Sequence, residues 1–435
     1  MPELRYCVEP GHTLSGRVRV PGDKSISHRA VMLGALAEGP TRVHGFLEGA
    51  DCRATAEAFK AMGVRIGSPQ CGVVDMEGVG LHGLIRPSAA LFLGNAGTAM
   101  RLMAGILAGQ AFDTVVTGDE SLTSRPMQRI TAPLGRMGAR IETSKRGTAP
   151  LQIYGGQELS GIDYAMPVAS AQVKSSLLLA GLYAKGKTCI SEPAPSRDHT
   201  ERMLESFGCP VERESGRVCV SGGARLRGCT VNVPADISSA AFFLVGGCIA
   251  PGSELILESV GVNPTRTGII DILRLMGARI EIENPRQAGA EPVADIRVRS
   301  SRLHGVIIPQ ELVPLAIDEF PVLFVAAACA DGRTVLTGAE ELRVKESDRI
   351  QVMAEGLQAL GINATPHPDG MTIDGGALMG GEVNSHGDHR VAMAFAMAGL
   401  RAQSTIRVQN CANVDTSFPG FAALCGKAGM PIHIT

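Results

Sequence analysis

The sequence predicts an α/β (α+β) protein of two pseudo-symmetric domains, each built from three copies of one helix-and-strand unit. Three observations carry this reading: the length of the chain, a glycine-centred phrase that recurs six times, and an apolar phrase that recurs with the same beat. At 435 residues the chain exceeds one ordinary core and suits two domains. The phrases "FKAMGVRI" (59–66), "LGRMGARI" (134–141) and "LRLMGARI" (273–280) are copies of one another, and "LESFGCPV", "LQALGINA" and "LCGKAGMPI" are worn copies. Their glycines, Gly63, Gly138, Gly208, Gly277, Gly361 and Gly429, recur about every 70 residues. Each phrase reads as the end of an amphipathic helix, a glycine suited to the left-handed position beyond it, then a strand start.

The second phrase is an apolar helix, a glycine or polar break, then a strand. Its copies begin near Ser25, Ala96, Ser170, Ile237, Asp318 and Asp388. Their apolar residues are nearly continuous, and a helix apolar all round is buried. Six such units make two domains of three. The expected boundaries are 21–234 for the first domain, and 1–20 plus 235–435 for the second, which is therefore discontinuous.

Hydrophobic residues make up 45% of the chain and aromatic residues 4%, with no Trp, so Ala, Leu, Val and Met are expected to fill the cores. The net charge of −2 argues against a face-wide field for nucleic acid. No apolar run is long enough to span a membrane, and the N-terminus has no apolar signal core, so a cytoplasmic protein is expected. Eleven cysteines, without a C-x-x-C pair, read as reduced core thiols.

The mouths of the six apolar helices carry the chemistry. A helix N-terminus offers unpaired N–H groups and positive potential, which suits anions. "GDKSISHRA" (22–30) adds Lys24 and Arg29 there. Each opposes the helix dipole by roughly 0.3–1 kcal/mol, so a negative ligand is expected to offset them. Ser25, Asp236, Asp318 and Asp388 could equally serve as ordinary N-caps. "GNAGTAMRL" (94–102) supplies Asn95 and Gly97 without the spacing of a phosphate-binding Walker loop. "SLTSRPM" (121–127) sets Arg125 beside a proline, and "RVKESDR" (343–349) mixes Lys345, Glu346 and Arg349. Such a charge run is usually a solvated helix face. In "SHGDHR" the two histidines make poor zinc spacing, and Arg390 reads as an anion ligand beside His389. Lys174 reads either as a site residue or as a helix-surface lysine, the second being the ordinary case.

Seven motifs taken together, "GDKSISHRA", "LGNAGTAMRL", "SLTSRPM", "SAQVKSSLLLAGL", "DEFPVLFVAA", "RVKESDR" and "GDHRVAMAFA", resemble the 5-enolpyruvylshikimate-3-phosphate synthase family, in order and from about residue 10 onward. The resemblance implies the enolpyruvyl transferase fold, an inside-out α/β barrel per domain with three βαβαββ units and buried parallel helices, and an active site in the cleft between the domains. It implies transfer of the enolpyruvyl group of phosphoenolpyruvate to the 5-hydroxyl of shikimate 3-phosphate, with loss of phosphate from a tetrahedral intermediate. No metal and no organic cofactor is implied, and the enzyme would be a monomer whose only partners are these two substrates, away from membranes and nucleic acid.

By the same resemblance, Lys24, Ser25, Arg29, Ser170, Ala171, Gln172, Arg197, Asp318 and Lys345 would hold shikimate 3-phosphate. Lys24, Asn95, Gly97, Arg125, Gln172, Arg349 and Arg390 would hold phosphoenolpyruvate. Asp318 would accept the hydroxyl proton, Glu346 would protonate the methylene carbon, and Lys24 would assist. Each substrate brings a phosphate of about −1.5 to −2 at neutral pH and a carboxylate, which the basic groups would neutralise. These basic groups are shared between the two expected domains, so productive binding would need closure. Ala171 and Thr416 match the second, glyphosate-tolerant-type class, whereas some tolerant members carry alanine at the position of Gly97. The related UDP-N-acetylglucosamine enolpyruvyl transferases carry a cysteine where Glu120 stands, and lack the "KESDR" cluster. A non-catalytic repeat scaffold would repeat similar chemistry in each unit, and these six helix mouths differ.

Overall fold

The computed structural model describes residues 4–435. The chain divides into two compact units: a central unit of Gly22–Val233 with Ala288–Ala290, and a discontinuous unit of the N-terminal residues through Pro21, Pro234–Gln287 and Glu291–Thr435. Each has its own apolar core.

The central unit holds three four-stranded sheets of one design. In the second, Leu91–Phe92 runs parallel to Thr114–Thr117, which pairs antiparallel with Leu151–Tyr154, itself antiparallel to Arg140–Glu142. The buried helix Gly97–Ala108 is the crossover between the parallel pair, the connection that parallel strands require. The second helix, Gln128–Arg136, leads to the antiparallel hairpin. The third sheet repeats this order with Asp163–Ala165, Lys187–Ser191, Arg217–Ser221 and Glu212–Glu214 around the helix Ala171–Gly181. The first sheet takes its leading strand from the far end of the unit: Thr230–Asn232 returns to pair with Glu38–His44. Among the described residues, none of the six sheets closes on itself, so the barrel of the expected description is a set of separate open sheets.

The discontinuous unit repeats the plan. Its N-terminal segment gives Ser15–Val18 to one sheet, parallel to Glu254–Gly261. It gives Tyr6–Val8 to another, between Ile406–Gln409 and His433–Ile434. The remaining sheet has three strands, and its leading strand survives only as isolated bridges at His304–Asp331 and Ile307–Val335. The helices Ile237–Ile249, Phe320–Ala328 and His389–Ala398 pack on one another. Every residue of Ile237–Ile249 is buried, which is why that segment reads apolar on all sides.

The six phrase glycines all have positive φ, from 83° at Gly208 to 107° at Gly429. At each, the next residue's N–H reaches back to the fifth carbonyl before it, as in Val64 to Phe59 at 3.1 Å and Ala278 to Leu273 at 2.9 Å. This is the Schellman closure, and it explains why the phrase repeats: only glycine adopts that backbone without strain.

Ala, Leu, Val and Met, with Ile, fill most of both cores as expected, and the few aromatic residues Tyr6, Phe242, Phe243, Phe418 and Phe421 cluster in the discontinuous one, with Phe418 and Phe421 at 5.2 Å. One expectation is corrected here. The cysteines are not all reduced core thiols: Cys189 and Cys219, opposite each other on paired strands, form a disulfide, and Cys71 is exposed. Among the described residues no helix is long and apolar enough to cross a membrane, and no group of three His, Cys, Asp or Glu could hold a metal ion.

Candidate active site

In the central unit, helix Lys24–Leu36 opens on Asp23, whose carboxylate accepts the N–H of Ile26 at 2.8 Å. Asp23 is thus the cap, not Ser25. The Lys24 ammonium pairs with the buried carboxylate of Asp51 on the next helix, Ala50–Ala61. Part of the negative charge expected from a ligand is therefore supplied by the fold. Arg29 is buried: its Nε donates to Thr200 Oγ1 at 2.6 Å, one Nη to Ser175 Oγ at 2.8 Å, and the other to the Ser25 carbonyl at 2.9 Å. His28 between them is fully buried, and burial, then the Lys24 and Arg29 charges, hold its pKa well below the usual histidine value. The ring is neutral at pH 7.

Asn95, Gly97 and Arg125 come together. Arg125 donates to the Asn95 side-chain oxygen and to Ser121 Oγ, while the Asn95 amide donates to Asp119 at 2.9 Å. Asp119 also caps the short helix Glu120–Ser124, so one carboxylate sets both the loop and the amide. Ser170 caps helix Ala171–Gly181. Gln172 is oriented by the neighbouring helix: its amide donates to Thr98 Oγ1 at 3.1 Å and its oxygen accepts from Arg101. Arg101 is buried and was not singled out from the sequence, where it reads as one charge inside an apolar helix. Arg197 lies in the irregular stretch before helix His199–Ser206. Lys174, expected on a helix surface, is 1% exposed.

In the discontinuous unit, Asp318 stands among three cations: Lys345 at 3.5 Å, Arg349 at 3.6 Å and Arg390 at 3.9 Å. Arg390 also donates to the Asp318 backbone carbonyl at 2.9 Å, which fixes the turn before helix Phe320–Ala328. Asp318 itself is no cap; that helix has no side-chain cap at all. Lys345 is further held by Glu341 at 2.7 Å. "RVKESDR" is thus only partly a solvated face: Arg349 is fully buried, with Asp388 at 2.8 Å and Glu346 at 2.6 Å. Burial opposes its charge, but those carboxylates and Asp318 raise its pKa above the usual arginine value. Asp388 is buried too; Arg349 outweighs that burial and lowers its pKa. Asp388 also caps helix His389–Ala398 and accepts from Ser347. Asp388 therefore does two structural jobs, capping its helix and holding Arg349. Asp236 caps Ile237–Ile249, with the Ser238 N–H at 2.8 Å.

The EPSP synthase family model, described as 3-phosphoshikimate 1-carboxyvinyltransferase, matches residues 8–424. The chain is 66% identical over 430 residues to the 3-phosphoshikimate 1-carboxyvinyltransferase of Alkalilimnicola ehrlichii, covering 99% of this chain and 96% of the relative. It is 65% identical to the protein of that name from Nitrosococcus oceani, covering 99% and 97%. The solved EPSP synthase of Acinetobacter baumannii superposes with a TM-score of 0.89 at 54% identity, over the full length of both chains. The enolpyruvyl transferase NikO of Streptomyces tendae, at 17% identity and a TM-score of 0.80, shares the fold. With a family model spanning nearly the whole chain and relatives this similar, the chain belongs to the EPSP synthase family.

Proposed function

We propose that this protein transfers the enolpyruvyl group of phosphoenolpyruvate to the 5-hydroxyl of shikimate 3-phosphate. The observation that carries the reading is the full-length identity of about two thirds to relatives named for that activity. The geometry of each half-site supports it. In the central unit, Lys24, Ser25, Arg29, Ser170, Ala171, Gln172 and Arg197 bind shikimate 3-phosphate, and Lys24, Asn95, Gly97, Arg125 and Gln172 bind phosphoenolpyruvate. In the discontinuous unit, Lys345 completes the first set, and Arg349 and Arg390 the second, Arg349 by its charge from behind Glu346 and Asp388.

Asp318 takes the proton of the 5-hydroxyl as that oxygen bonds to the enol carbon. Three cations stand within 4 Å of the carboxylate that receives this proton. Glu346 delivers a proton to the methylene carbon. The tetrahedral adduct then returns one proton of its new methyl group to the Glu346 carboxylate as the bond to the phosphate oxygen breaks, which restores the double bond, and the departing phosphate takes the proton held by Asp318. Arg349, at 2.6 Å from Glu346, stabilises the carboxylate left after protonation.

Ala171 and Thr416 favour the second class within the family, and inhibition by glyphosate measured against phosphoenolpyruvate tests that placement. We also propose that the protein is a cytoplasmic monomer; light scattering on the purified chain checks the monomer, and cell fractionation the location.

Phosphate release from the two substrates tests the function, with UDP-N-acetylglucosamine as the competing acceptor. Turnover only with UDP-N-acetylglucosamine, or with neither, would overturn it. Asp318→Ala and Glu346→Ala are each expected to lower kcat by about 10²–10⁴-fold, the range for a positioned acid or base. Turnover preserved in both would remove the acid–base assignment.

A further inference from the structure

One polar group in the central unit has no part in the reaction as described. The Lys174 ammonium, in the first turn of helix Ala171–Gly181, meets Glu201 at 2.8 Å and Glu192 at 2.9 Å, and donates to the Ser196 carbonyl at 3.2 Å. Ser196 Oγ in turn donates to the other oxygen of Glu192 at 2.6 Å. Lys174 and Glu201 are 1% and 2% exposed. Burial works against the charge on the lysine, yet the two carboxylates outweigh it and raise its pKa, so it stays an ammonium. All three of its protons have acceptors.

Stability alone is a weak reason for such a group, because buried ion pairs are often replaced by apolar side chains at no loss. What the ammonium does is geometric. Its three partners all lie between strand Lys187–Ser191 and the first turns of helix His199–Ser206. Residues 192–198 have no regular backbone ladder to hold them, and they contain Arg197. Thr200, next to Glu201, receives the Arg29 Nε–H. Lys174 therefore ties the irregular segment to the same helix turn that presents Ser170, Ala171 and Gln172.

We propose that Lys174 is a positioning residue for shikimate 3-phosphate: by clamping Glu192, Ser196 and Glu201 it fixes the 192–198 segment, and with it Arg197, in register with the N-terminus of helix Ala171–Gly181. The proposal rests on the functional reading above and adds a residue that touches neither substrate. It makes recognition of one substrate, and not the other, depend on a buried ammonium.

The test uses the full-length protein. Parental phosphate release is measured first; its absence sinks the functional reading and this inference with it. Given parental turnover, Lys174→Met is expected to raise the KM for shikimate 3-phosphate roughly tenfold, the scale of a slightly misplaced binding group, with the KM for phosphoenolpyruvate held within about twofold. An unchanged KM for shikimate 3-phosphate overturns the assignment. So does a fall in kcat with both KM values unchanged, since that reports only a smaller folded fraction. Should Lys174→Met be insoluble, Glu192→Gln decides. It keeps the Lys174–Glu201 pair and removes the charge that ties down the segment. A shikimate 3-phosphate KM raised at least about threefold supports the proposal, and parental values overturn it.

Discussion

A β-carbon added at Gly97 would stand 2.8 Å from Arg125 Nη1, too close for any real contact, and the atom it meets is the far end of a flexible side chain. Gly97→Ala should therefore leave the fold intact and displace the guanidinium. We expect the KM for phosphoenolpyruvate to rise by roughly tenfold while the thermal midpoint stays near that of the parent, read by steady-state kinetics and calorimetry. An unchanged KM would show that Arg125 is placed by Asn95 and Ser121 alone. Residue types at this scale were legible: Lys24, Asn95, Arg125, Asp318, Lys345 and Arg390 were all named from motifs. Their partners were not. Asp51 for Lys24, Arg101 for Gln172, Ser175 and Thr200 for Arg29 and Asp388 for Arg349 lie 27 to 171 positions away. No local pattern marks such pairs; each is brought into contact by packing.

The repeated elements were the most legible part of the fold, because their signals are local. A continuous apolar run marks a buried helix, and a glycine at its partner's end marks the stop. The two glycine roles have different energetic costs. Gly208 has φ +83° and open space around its Cβ position. Gly208→Ala should cost only the left-handed penalty, about 1 kcal/mol. Gly105 sits where helix Gly97–Ala108 meets helix Ala171–Gly181, and its Cβ would lie 2.1 Å from the Ser176 carbonyl oxygen. Backbone cannot swing aside as a side chain can, so Gly105→Ala should cost roughly 3 kcal/mol, the upper range for overpacking. Denaturant titration of both variants checks this; equal losses would mean the helices separate freely. The capping pattern was less legible. Helices Gly97–Ala108 and Phe320–Ala328 have no side-chain cap, and residues assigned to the substrates stand at or just before their N-termini, Asn95 and Gly97 at the first and Asp318 at the second.

At the scale of the molecule, the N-terminal segment has a role out of proportion to its length. Tyr6–Val8 is an interior strand of one sheet, and Ser15–Val18 lies parallel to the strand after helix Ile237–Ile249 in another. Deleting residues 1–18 should leave two sheets of the discontinuous unit with unpaired backbone and open its aromatic cluster at Tyr6. Soluble yield and the cooperative unfolding transition should both collapse; a deletion that melts like the parent would contradict the pairing. The two recurring phrases were enough to identify the unit and the number of its copies; the reaction class came only from the resemblance of seven ordered motifs to a known family. The unit and its repetition are properties of neighbouring residues: an apolar run, and a glycine that alone tolerates its backbone angle without strain. Tertiary structure alone decided which strands each sheet recruits from distant parts of the chain, which cations the fold itself neutralises, and that Lys174 is a buried clamp rather than a surface charge. Those outcomes depend on contacts between residues far apart in the chain, and a side chain's solvent, partner and charge state are settled only when the chain closes around it.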